Sequence, residues 1–382
     1  MARATEVPVT PSVLRWAIDE SGYTRDELSA KLKISSAVLR EWEKGDERPS
    51  LTEFRRLADS LRRQMAVFFL TEPPANGIPS VNLRFPPGTP RVSLNVLERK
   101  YLRDATRMQR TLGWLNEQLE IGRSSLPKRE IRRSPEVSAA ETRDLLRISV
   151  ADQLAWQSSS EAFKRWREAV ESLGIYVFVF SLGENSSRGF SVWNDFAPVV
   201  AVNSAWNVSA RIFTLFHEVA HLVTRTDSAC VGHVSISDAS QDAPLERWCE
   251  RFAAALLLPA KDVVGTLEAD VRWDRKAIRD LDLAATIARR FKVSLRASVI
   301  RLIELKLAER SLYNLIPSAA DAKSRGGGGQ GRARIEVKED QLGLRSKKTF
   351  VRAISEDLIT RADALTYLDI PYDDLAAAES GR

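Results

Sequence analysis

Two of the chain's three histidines stand four residues apart, with a glutamate beside the first: His217-Glu218-Val219-Ala220-His221. On an α-helix, side chains four apart share one face, about 6 Å from each other. His217 and His221 can therefore grip one divalent ion, and zinc is the ion that H-E-x-x-H spacing suits. Glu218 falls one step around the helix, within reach of a water at that ion. The chemistry this permits is hydrolysis at a carbonyl, with the metal acidifying a water and the carboxylate taking its proton.

The helix that must carry these residues is legible around them. Within RIFTLFHEVAHLV, Ile212, Leu215, Phe216, Val219, Leu222 and Val223 recur at helical spacing. At about 100° per residue this stripe lies opposite the histidines, so one face anchors and the other presents nitrogen donors. Asn207 or Ser209 is placed to cap its start. Just upstream, 175–180, 189–194 and 198–203 read as three short strands of a small sheet that leads directly into the helix.

Catalytic zinc usually takes three protein ligands and a water, so a third donor is needed. Asp227 stands where a turn after the second histidine could return a ligand, but position 224 is Thr where such a turn uses Gly. His233 is the remaining histidine and could serve as a ligand or as a donor to the transition state. The following helix, APLERWCERFAAALLLPA, is two-faced in the same way. Leu245, Trp248, Cys249, Phe252 and Leu256 form its apolar stripe, and Glu246 and Glu250 sit together beside it. A glutamate from this helix is the expected third ligand, with small Ala253 letting the two helices approach. Cys230 and Cys249 read as structural, since two cysteines make neither a disulfide framework nor a Cys-rich zinc site.

The N-terminal region, 8–75, reads as a bundle of short helices over 13–20, 26–32, 36–42 and 51–61. Thr24 with Glu27 forms a capping box, and Ser35 is a good N-cap after the tight turn Lys33-Ile34-Ser35. Ala30, Leu32, Ile34 and Leu39 would hold the second and third helices together. That arrangement resembles the Cro/C1-type (XRE) helix-turn-helix domain, including the Glu43-Lys44-Gly45…Pro49-Ser50 ending. The resemblance implies that SSAVLREWEKG enters a major groove and that Ser35, Ser36, Ala37 and Arg40 face DNA. The family often has Gln where Ser36 stands, and serine reaches bases less well.

The segment from about 140 to 260 resembles the ImmA/IrrE family of zinc metallopeptidases (M78-like). The landmarks are Arg188-Gly189-Phe190, Ala197-Pro198-Val199-Val200…Asn203, the His217–His221 motif, and Glu246…Phe252-Ala253-Ala254…Leu258-Pro259. That family carries E-x-x-A-N-x-F-A-A on the helix after H-E-x-x-H, and its first Glu completes the zinc site. The resemblance therefore implies Glu246 as third ligand, His217 and His221 as the others, and Glu218 as catalytic base. Cys249 and Glu250 depart from the pattern, and Glu250 offers added charge or an alternative ligand.

These readings predict an α+β, mostly helical chain. A helix-turn-helix bundle (8–75) precedes a linker and long amphipathic helix (76–136). A zincin-like peptidase core with a three-stranded sheet follows (137–265). Beyond it come a helical extension (266–318), a flexible Gly-rich linker (319–335) and a small helical tail (336–382). Within the extension, helices are expected over 277–291 and 295–312, outlining a second helix-turn-helix that packs beside the core. In the tail a helix is expected over 349–375.

The 44% apolar and 28% charged content is that of a globular chain. No run approaches 18 apolar residues and MARATEVPVTPSV has no signal-peptide core, so a cytoplasmic location without membrane contact is expected. The net charge of +6 leans weakly toward an anionic partner. Zn2+ is the expected cofactor. The expected partners are double-stranded operator DNA and a protein substrate, a repressor or similar regulator, with a homodimer allowed. The implied activity is limited proteolysis that switches transcription in stress or mobile-element control. Two rivals are a non-proteolytic repressor or antitoxin-type regulator whose metal domain senses or scaffolds, and a hydrolase of other amides.

Overall fold

The computed structural model describes residues 6–74, 95–184, 186–226, 243–270, 273–317, 320–321 and 334–368. They fall into two compact units whose division lies between Asp104 and Ala105. The 76–92 linker expected from the sequence lies outside the described residues.

The first unit contains α1 (Pro11–Asp19), α2 (Arg25–Leu32), α3 (Ser36–Lys44) and α4 (Leu51–Ser60), closed by a 3₁₀ turn over Met65–Phe69. Its short helices are set by their ends. Thr24 and Glu27 form the capping box of α2, Ser35 caps α3, and Ser50 with Glu53 makes a second box on α4. Each cap satisfies backbone N–H groups that the first turn leaves open. Lys33 in the left-handed region (φ 60°) stops α2, so that α3 starts after a three-residue turn. Leu14, Ile18, Leu28, Leu39, Trp42, Phe54 and Leu57 form one buried core. Phe68 joins it from the 3₁₀ turn, edge-on to Phe54 at 5.6 Å between ring centres. The apolar pattern of the sequence did not separate that turn from a loop.

The division between the units falls within α5 (Val96–Gln118). After it come α6 (Pro135–Leu146), α7 (Val150–Ala155) and α8 (Ser159–Ser172), then β1 (Tyr176–Phe180), β2 (Gly189–Val192) and β3 (Val199–Asn203). The chain continues through α9 (Val208–Thr224), α10 (Ala243–Leu257), α11 (Ala260–Asp270), α12 (Leu281–Phe291) and α13 (Leu295–Glu304). It ends with α14 (Arg334–Ser355) and α15 (Arg361–Leu368). The whole is α+β and mostly helical, with the three strands where the sequence put them.

The sheet has order β1-β3-β2, with β1 parallel and β2 antiparallel to β3. Period-2 alternation splits its side chains between two helical layers. Val177, Val200 and Val202 join the core that α8 and α9 build on one face. Tyr176 points to the other face, where its hydroxyl meets Asn116 of α5 at 3.0 Å and Thr349 of α14 at 2.9 Å.

Three element ends differ from the sequence reading. The helix expected over 277–291 starts only at Leu281, capped by Asp280, and the one expected over 295–312 stops at Glu304. Both changes have one cause. Ile278 N–H donates to Leu307 C=O at 2.8 Å in a parallel bridge, which holds both segments extended, and Lys306 (φ 59°) turns the chain into it. The expected 349–375 tail helix begins earlier, at Arg334, and is broken at Gly343 (φ 84°), where a Cβ would collide with the Glu171 carboxylate. Residues 369–375 lie outside the described residues. The α12–turn–α13 outline is packed into the core as expected, with Ala297, Ser298, Val299 and Arg301 buried.

Candidate metal centre

α9 is capped by Asn207, whose side chain accepts from the Ala210 N–H at 2.8 Å. The helix is not one-faced. From Ile212 to Thr224 every residue is buried, His217, Glu218 and His221 included. The apolar stripe faces the main core, while the histidine side is closed by β2 and α10.

α10 brings the third donor. Trp248 Nε1 donates to Arg133 C=O at its start. At its far end three side chains satisfy carbonyls that no helical N–H can reach. Arg143 donates to Leu256 C=O at 2.6 Å, Gln153 to Leu257 C=O at 3.1 Å, and Arg301 to Leu258 C=O at 2.8 Å. Arg301 also grips Glu136 through both carboxylate oxygens, at 2.6 and 2.8 Å. Wholly buried Ala220 and Ala253 are among the residues that pack in the core shared by α9 and α10.

The result is a converging trio. His217 Nε2 and His221 Nε2 lie 3.3 Å apart, and Glu246 approaches them at 3.3 and 3.7 Å. All three residues are at least 95% buried. A tetrahedral ion with bonds of about 2.0–2.1 Å separates its donors by roughly 3.3–3.4 Å. The trio fits such an ion, and two nitrogens with one carboxylate oxygen are a suitable donor set. His221 Nδ1 stands 3.3 Å from Thr226 Oγ1, and a proton donated there leaves the Nε2 lone pair for a metal.

Glu218 is held from the sheet. Ser191 Oγ of β2 donates to Glu218 Oε2 at 3.1 Å, and both are buried. Gly189 lets the strand come that close, since a Cβ there would stand 2.7 Å from both Ala201 C=O and Thr214 Cγ2, and 3.4 Å from Glu218 Cγ. Among the described residues β2 is an edge strand. The Asn203 N–H to Arg188 C=O bond, together with the register, turns the N–H and C=O groups of Gly189 and Ser191 away from β3. Arg225 (φ 54°) ends α9, donates to Leu222 and Leu126 carbonyls, and stacks on Trp193 at 3.3 Å.

Of the residues expected at the site, the structure brings His217, His221 and Glu246 together and sets Glu218 next in the chain. Glu250, one turn on, is half-buried and outside the trio. His233, Asp227 and Cys230 lie outside the described residues. In the first unit, Ser35, Ala37 and Arg40 are exposed and Ser36 is half-buried at the start of α3. Arg25 of α2 pairs with buried Glu43 of α3 at 2.8 Å and fixes the angle between the two helices. The sequence reading missed Ser191 and the residues that cap α10. Ser191 carries no periodic signal, and the α10 caps come from three distant helices.

Fold and site define a protein with a helix-turn-helix bundle and a peptidase-like domain carrying a His-His-Glu trio. Comparison of the sequence with family models agrees. Residues 170–302 match the IrrE N-terminal-like domain (Peptidase_M78), and residues 14–68 match the helix-turn-helix family HTH_3. The chain thus joins an XRE-type helix-turn-helix domain to a domain of the ImmA/IrrE type. The match reaches residue 302, so it covers α12 and most of α13 as well as the trio. No curated protein matches the chain. Among the described residues no helix is long and apolar enough to cross a membrane.

Proposed function

We propose that this chain is a zinc-dependent endopeptidase that acts on a DNA-associated regulator, with His217, His221 and Glu246 as metal ligands and Glu218 as general base. The single observation that carries the reading is the approach of Glu246 to both histidines at 3.3 and 3.7 Å. When bound, a zinc ion supplies Lewis-acid chemistry, polarising the scissile carbonyl and lowering the pKa of a water to about 7. Glu218 takes the proton of the attacking water at its carboxylate and passes it to the amine nitrogen as the C–N bond breaks. Ser191 holds one Glu218 oxygen, which fixes the carboxylate's rotamer.

The outward N–H and C=O groups of Gly189 and Ser191 favour a peptide over other amides. An extended chain can add to a sheet edge through its own backbone, and this edge borders the base. The helix-turn-helix domain would bring the enzyme to the operator where its target sits. Residues 137–318 are read as the catalytic unit with its helical extension, and 334–368 as a tail docked on β1 and α8.

The test is incubation of the purified chain with proteins encoded beside its gene, with and without a chelator, read by mass spectrometry. The reading expects one or a few discrete cuts that vanish with chelator and in Glu218→Gln. Cleavage that survives Glu218→Gln would overturn it. Metal binding with specific DNA occupancy and no cleavage would leave a regulator whose metal domain senses or scaffolds.

A further inference from the structure

The recognition helix offers DNA an unusual set of groups, and most of them are already spent. Ser35 Oγ accepts from the Val38 N–H as the N-cap. Ser36 Oγ donates to Asp26 Oδ1 at 2.7 Å, so its proton is committed to a carboxylate of α2. Ala37 has no polar side-chain atom. Lys44 is paired with Glu41 at 2.8 Å. Arg40 is exposed, and among the described residues it makes no ion pair.

Elsewhere in the unit Lys33, Arg48, Arg55, Arg56 and Arg62 are exposed and can meet phosphates, which position a protein without reading sequence. A helix N-terminus is a ready site for phosphate, but that of α2 holds its own acids, with Asp26 and Glu27 in the first turn and Glu27 closing the capping box. Across residues 6–74 acidic side chains slightly outnumber basic ones, so the chain's excess positive charge lies elsewhere.

We infer that Arg40 is the residue through which this domain selects its DNA, by donating to guanine O6 and N7 in the major groove. The inference rests on the DNA-binding reading of the helix-turn-helix domain. N-terminal residues of a recognition helix meet base edges. An arginine fork donates to both guanine acceptors there, whereas Ser36 has committed its proton, Ala37 has no polar side-chain atom, and Ser35 keeps only a single short hydroxyl donor.

The experiment uses the full chain and a pool of randomised duplexes at low salt, with sequencing of the retained fraction. It is repeated with Arg40→Ala and Arg40→Lys. Because Arg40 is exposed, the variants should melt like the wild type, which is checked first. The wild type is expected to enrich a guanine at a fixed position by on the order of 10- to 100-fold. Arg40→Ala should lose the enrichment at that position while still retaining duplex, and Arg40→Lys should keep part of it. If Arg40→Ala enriches the same guanine, or the wild-type motif holds none that depends on Arg40, the inference is wrong and DNA binding stands. Retention of no duplex at any salt by the wild type would remove the DNA-binding reading and this inference with it.

Discussion

His217 and His221 meet because a four-residue step on one helix places them on one side, and that much is local and legible in the sequence. Glu246 is legible in a weaker sense. Its helix is amphipathic, but Glu246 and Glu250 are equivalent by spacing, and only the packing of α9 against α10 separates them. Ser191 is not legible, because its bond to Glu218 depends on strand register across 27 residues. It carries a prediction at this scale. Ser191→Ala removes a hydrogen bond to a buried carboxylate, a contact worth roughly 1.5–3 kcal/mol when one partner is charged. The variant should keep its metal and its KM while kcat for the cleaved regulator falls about tenfold or more. An unchanged kcat would show that Glu218 needs no such support.

At the scale of elements, caps and turns carried most of the information. Thr24, Ser35 and Asn207 start their helices in the structure as the sequence suggests, since an N-cap side chain bonds N–H groups only two or three residues away. The start of α12 and the end of α13 are not legible in the sequence, because the Ile278–Leu307 bond that holds both flanking segments extended is nonlocal. The approach of β2 to α9 is nonlocal too, and it can be probed. Gly189→Ala would force the backbone or Thr214 to move from 2.7 Å contacts. Overpacking of this kind costs about 1–3 kcal/mol. Denaturant titration should show that loss at an unchanged slope, together with slower cleavage from a displaced Ser191. A variant as stable as the wild type would mean that the strand is not pressed against the helix.

At the scale of the whole molecule, long-range ion pairs tie segments together in ways no periodic pattern announces. Buried Asp321 receives Arg188, just before β2, and Arg296 of α13, each at 3.0 Å. Burial works against its charge, but the two guanidinium groups outweigh it and hold the carboxyl below its ordinary value of 3.8. A depressed folded pKa contributes stability above the unfolded value and loses it as the pH falls through the folded one. Asp321→Asn should therefore cost about 3 kcal/mol at neutral pH, as when one partner of a buried pair is removed. The gap to wild type should shrink as the pH drops below 3.8, read from melting curves across that range. A gap independent of pH would assign the loss to packing. Charge at this scale also corrects a simple inference from composition. The net +6 does not reside in the helix-turn-helix unit, so it says little about DNA.

Three donors from two helices are proposed to hold one ion, and metal content tests this without reference to any substrate. Zinc per chain should be measured by inductively coupled plasma mass spectrometry after reconstitution and desalting, for the wild type and for His217→Ala, Glu246→Gln and Glu218→Gln. The expected result is one zinc in the wild type and in Glu218→Gln, and little or none in the other two. A wild type that retains no zinc, or a Glu246→Gln variant that retains it as well as the wild type, would contradict the site.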